Sequence, residues 1–108
     1  MKRTQSLIAC RLNSLTETER EHEKVLLQLI REAKLETKEL PMGYARGFPN
    51  DSQVLAQIAE FITLERLCCP FFRFDLQVEA EAGPVWLRLT GRQGVKQFLA
   101  DVLKLGHR

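Results

Sequence analysis

The chain has 108 residues, 44% of them hydrophobic, which suits a single domain (1–108) with one core and no need for disulfide staples. Sixteen Lys and Arg face 14 Asp and Glu, a net charge of +2 with the signs interspersed, so no basic tract marks a nucleic-acid partner. No run of about 18 apolar residues occurs, and the apolar stretch behind the basic start is too short for a signal peptide's core, so a cytoplasmic protein without a membrane partner is expected.

Residues 6–12, "SLIACRL", alternate as a half-buried strand does, with Ile8, Cys10 and Leu12 on the core-facing side. Next comes a helical stretch, "TETEREHEKVLLQLIREAK", in which Thr16 precedes Glu19 at capping-box spacing. Its apolar residues Val25, Leu26, Leu29, Ile30 and Ala33 recur at helical intervals, while its first two turns are too polar to be buried. "LETKEL" and "GYARGF", joined through "PMG", read as two short strands whose pattern is diluted by Gly43 and Gly47. A second helix follows in "PNDSQVLAQIAEFITLERLCC", with Asn50 or Asp51 as its N-cap and Pro70 as its stop. "FFRFDLQVEA" alternates Phe72, Phe74, Leu76 and Val78 against polar residues, "EAGP" turns the chain, and "VWLRLT" answers with Val85, Leu87 and Leu89. The last stretch, "TGRQGVKQFLADVLKLGHR", carries a capping spacing from Thr90 to Gln93 and an amphipathic pattern that ends near Gly106. The order β-α-β-β-α-β-β-α predicts an α+β protein: a two-layer, ferredoxin-like β-α-β-β-α-β core with an added hairpin strand and a C-terminal helix. In that arrangement the strand after the second helix lies beside the first strand and brings Cys10 toward Cys68 and Cys69.

Three cysteines is an odd count, and in a reducing compartment thiols are more often buried, metal-binding or reactive than paired in structural disulfides. Two of them, Cys68 and Cys69, stand side by side in "ERLCCPFFRF", between a helix and a strand. Thiolates favour soft ions such as copper(I), zinc and mercury(II) over hard cations. Glu65, three residues before Cys68, shares its helix face and can ligate or orient a ligand. The candidate metal ligands are therefore Cys10, Glu65, Cys68 and Cys69. His22 and His107 are the chain's only imidazoles, and neither has a motif spacing to a cysteine. Adjacent cysteines tend to point apart, so the signal is weaker than a paired C-x-x-C arrangement.

Two other readings stand beside the metal site. The cysteines can be plain core residues, since cysteine is among the most buried residue types, in an interaction or dimerisation module whose contact face carries Trp86. Alternatively the vicinal pair can act as a redox sensor, because a disulfide between neighbours is strained and easily reduced. Against that, both thiols sit at a helix C-terminus, where the dipole disfavours a thiolate, with Arg66 and Arg73 near in sequence to offset it. An enzyme is the least supported class: no Ser-His-Asp set, phosphate loop or carboxylate pair can be assembled, and no histidine partners a nucleophilic cysteine.

The run "ERLCCPFFRFDLQVEAEAGPVWLRLTG" followed by "GVKQFL", with "ACRLNSLTETER" at the front, resembles a group of small, mostly uncharacterised bacterial proteins that carry an acidic-x-x-Cys-Cys-Pro-Phe element. The resemblance spans nearly the whole chain and marks Cys10, Glu65, Cys68 and Cys69 as the motif positions. It implies no particular activity. The function that the residues favour is a small bacterial protein that binds a thiophilic metal ion in sensing or detoxification, with a homodimer as a candidate assembly.

Overall fold

A computed structural model describes residues 14–103 as α1 (Glu17–Ala33), β1 (Glu36–Leu40), β2 (Gly43–Phe48), α2 (Ser52–Cys68), β3 (Arg73–Val78), β4 (Val85–Thr90) and α3 (Val95–Leu103). The expected strand at residues 6–12, with Ile8, Cys10 and Leu12, lies outside the described residues, as does His107.

The helix starts follow the capping chemistry. The Thr16 hydroxyl accepts from the Glu19 N–H at 3.0 Å while the Glu19 carboxylate accepts from the Thr16 N–H at 2.9 Å, closing a capping box. Asp51 caps α2 by accepting from the Val54 N–H at 2.9 Å. The start of α3 differs from the capping spacing at Thr90. Thr90 is the last residue of β4, paired with Gly43 on one side and Arg73 on the other, and α3 begins only at Val95, after a turn closed by Val95 N–H to the Arg92 carbonyl. Strand pairing on both sides outweighs a local capping signal there.

The four strands form an antiparallel sheet in the order β1-β2-β4-β3. Register places Tyr44, Arg46 and Phe48 of β2 opposite Leu89, Leu87 and Val85 of β4, so these six share one face. All three helices bury apolar residues against that face: Leu26 and Ile30 from α1, Ile58 and Phe61 from α2, Val95 and Leu99 from α3 join Phe48, Val85, Leu87 and Leu89 in one cluster. The other face carries Lys38, Trp86 and Arg88.

A ferredoxin-like order would put the strand of residues 6–12 between β2 and β3. That place is held by β4. The turn at 79–84 folds β4 straight back against β3, and the packing of its buried Val85, Leu87 and Leu89 under the helices sets it beside β2 as well. The described strands therefore support the α+β class but not the ferredoxin-like order. Leu76, expected in the core, lies on the correct face but is 37% exposed, because β3 has no neighbour beyond it among the described strands.

Candidate metal centre

The site begins with the end of α2. Pro70 disfavours the helical conformation for the residue before it, and Cys69 accordingly leaves the helix at φ −127°, ψ 75°. Its N–H still closes the last helical hydrogen bond, to the Glu65 carbonyl at 2.7 Å. The chain then turns over Pro70 and Phe71, with the Phe72 N–H reaching the Cys69 carbonyl at 3.3 Å, and Pro70 occupies the position of the turn that a fixed φ favours. Phe71 and Phe72 pack edge-to-face on each other at 4.8 Å, and Phe71 meets Phe98 of α3 at 5.3 Å, so the turn is wedged between the sheet and the last helix.

This break in the helix brings the adjacent thiols together. The Sγ atoms of Cys68 and Cys69 lie 3.7 Å apart, and one oxygen of Glu65 joins them so that all three donor atoms fall within 4.8 Å of one another. With metal–sulfur bonds of about 2.3 Å, that sulfur separation subtends about 107° at a shared ion, close to the tetrahedral angle. Linear two-coordinate ligation would need the sulfurs about 4.6 Å apart, twice the bond length. The donor set thus fits a bent or tetrahedral centre. It is soft on the sulfur side and carries one hard oxygen, as borderline ions accept.

One expectation changes here: the adjacent thiols do not point apart, and both are buried. Cys68 is 3% exposed and Cys69 fully buried, both within the core cluster. Cys10 lies outside the described residues, so its approach to the pair is not part of this geometry.

Access to Cys68 runs through a groove of about 220 Å³ between α1, α2 and α3, lined by Arg20, Glu23, Lys24, Leu27, Glu65, Cys68 and Val102. Glu65 also borders a smaller apolar cavity of about 50 Å³ formed with Leu27, Phe61, Phe72, Phe98, Leu99 and Val102. The α1 residues escaped the sequence reading because the polar first turns look like a solvated face. Their stripe was nonetheless legible: Arg20, Glu23, Lys24 and Leu27 recur at i, i+3, i+4 and i+7, beside buried Leu26 and Ile30. One oxygen of Glu23 is buried without a hydrogen-bond partner. Arg20 donates to the Leu15 carbonyl at 3.0 Å, which fixes its stem at the groove's edge. Arg20 and Lys24 balance the charges of Glu23 and Glu65 along the groove.

The other sequence candidates fall elsewhere. His22 pairs with Glu60 at 2.6 Å, bridging α1 and α2, and is not in the donor cluster. Arg73 pairs with Asp75 at 3.2 Å on the far sheet face, away from the thiols. Trp86 lies on that face with the Lys38 ammonium 4.5 Å from its ring centroid. No helix among the described residues is long and apolar enough to cross a membrane. Comparison with known proteins finds no matching family model, no matching curated protein and no matching solved structure, so the site's chemistry carries the functional argument by itself.

Proposed function

We propose that this protein binds a thiophilic metal ion through the Cys68 and Cys69 thiolates and the Glu65 carboxylate, in metal sensing or detoxification. Zinc, copper(I) and mercury(II) are the candidate ions. The observation that carries the reading is the meeting of three donor atoms within 4.8 Å, two of them sulfurs at a separation suited to a bent S–metal–S unit. Cys10, the chain's one other thiol, is the candidate for the fourth position. The shared acidic-x-x-Cys-Cys-Pro-Phe element supports placing the protein with the small bacterial proteins that it resembles, and the Trp86 face is the proposed contact of a homodimer.

The test is native mass spectrometry of the reduced apoprotein titrated separately with zinc, copper(I) and mercury(II), with affinities from chelator competition. One ion per chain is expected. Cys68→Ser or Cys69→Ser should each lower affinity at least about 100-fold, and Glu65→Gln about 10-fold to 100-fold. Cobalt(II) substitution should give the visible bands of a thiolate-ligated tetrahedral ion. The full burial of Cys69 favours one competing reading, in which both thiols are inert core residues. Serine variants that bind all three ions as the parent does would establish that reading and end the metal proposal.

A further inference from the structure

The sheet's covered face holds a charge that the metal centre does not explain. Arg46, in the middle of β2, faces the helices among Tyr44, Phe48 and Leu87, and is only 8% exposed. It is the one buried charged residue among those described, and its Nε has no hydrogen-bond partner. Thr37, directly across from it on β1, also buries a hydroxyl that has no partner.

A buried guanidinium nitrogen without a partner is costly, and such groups are ordinarily matched by an acid. The nearby acids are committed elsewhere. Glu39, the next residue on the same face of β1, is bound by Lys96. Glu32, at the end of α1, accepts from Gln28 at 2.9 Å. Glu36 pairs with Gly47 and so lies on the opposite side of the sheet, with Trp86.

The charge that acts on Arg46 is of the same sign. The chain leaving α1 is tied to β2 by the Leu35 N–H, which donates to the Gly47 carbonyl at 2.8 Å. Burial, and after it the charge of Arg31 in the last turn of α1, pushes the Arg46 pKa down. A buried guanidinium nitrogen and a buried hydroxyl, both without a partner, thus stand on paired residues of one sheet face, where a single anion would satisfy both and offset the charge of Arg31.

We propose that Arg46, Thr37 and Arg31 form a binding site for a small oxyanion, a phosphate, sulfate or carboxylate group held by the Arg46 fork with the Thr37 hydroxyl as a second donor. Arginine is suited to this role because its planar donors match two oxygens of one anion. The site lies on the β1–β2 side of the sheet and involves none of the metal-donor residues.

The test uses the full chain at constant ionic strength, with chloride replaced stepwise by inorganic phosphate or, in a second arm, by acetate. Phosphate should shift the Arg46 Nε–Hε resonance saturably and raise the melting temperature, and acetate responding equally well would assign the site to carboxylates. Arg46→Met should lower the affinity at least about tenfold, and Thr37→Val should lower it less. Should Arg46→Met fail to fold, the resonance in the parent protein decides. An Nε–Hε resonance unmoved by either anion, or a folded Arg46→Met variant with the parent's anion response, would overturn the proposal.

Discussion

Pro70 decides where the two thiols point. In a continuing helix, successive side chains would be rotated by about 100° around the axis, and neighbouring sulfurs would diverge. The non-helical conformation at Cys69 cancels that rotation and leaves the sulfurs 3.7 Å apart. Replacing Pro70 by Ala removes the restriction on Cys69 and lets α2 gain a further turn. We expect Pro70→Ala to lower metal affinity about tenfold while changing folding stability by no more than about 1 kcal/mol. Chelator competition beside denaturant unfolding checks both, and unchanged affinity would show that the turn is held by its phenylalanines instead. At this scale the sequence pointed to Glu65 and Cys68 through their i, i+3 spacing on one helix, with Cys69 next to them and the proline marking the helix end. It was a poor guide to direction, because the joint burial of both thiols comes with a cluster that draws residues from the sheet and from all three helices. Arg46 was illegible for the same reason, since a lone arginine in a short strand looks like a surface residue until the sheet pairs it.

Elements whose patterns are local were legible, and those set by pairing were not. The capping box at Thr16 and the Asp51 cap are satisfied within three residues, so sequence spacing suffices to find them. β2 was blurred by Gly43 and Gly47, and the structure shows why both are glycine. A Cβ on Gly43 would sit 1.9 Å from the Leu89 carbonyl oxygen, and one on Gly47 would touch the Trp86 ring at 3.0 Å. The same close approach predicts that Gly43→Ala destabilises by about 3 kcal/mol or more, as an overpacked site with backbone on the other side must. The β3–β4 hairpin carries the opposite lesson. Glu81 and Ala82 both adopt left-handed φ, 56° and 61°, in the turn closed by Gly83 N–H to the Ala80 carbonyl. Two left-handed central residues are what a two-residue hairpin turn prefers, but Asn-Gly supplies them with far less strain. Ala82→Gly should therefore stabilise the protein by about 1 kcal/mol, less the greater chain entropy of glycine in the unfolded state. Equilibrium urea unfolding reads this as a rise in the transition midpoint at constant slope; a fall would show that the flanking pairing, not the turn, sets the hairpin's stability.

At the scale of the whole molecule, the Glu65, Cys68 and Cys69 cluster sits where the three helices and the sheet meet. Cys68 and Cys69 belong to the same cluster as Leu87, Leu99 and Phe61, so an ion held there would link the end of α2 to the core. Sheet order was beyond the sequence because β3 and β4 can join on either side of β2 with the same alternation, and only tertiary packing selects β4 for the centre. The consequence is thermodynamic linkage. An ion that binds the folded site and not the dispersed chain stabilises the fold by RT ln(1 + [L]/Kd), about 2.7 kcal/mol at one hundred times Kd. For a chain of this size each kcal/mol moves the melting temperature by about 4 to 8 °C, so saturating zinc should raise it by about 10 to 20 °C. The unfolded chain keeps its thiols and retains some affinity, which trims the shift toward the lower figure. Differential scanning fluorimetry of the reduced protein with stepwise zinc should show a melting temperature that climbs with the logarithm of free zinc above Kd. The Cys68→Ser, Cys69→Ser double variant should stay flat over the same range. A parent protein whose melting temperature falls with zinc would mean that the ion prefers thiols released by unfolding, and the cluster would then be core packing rather than a site.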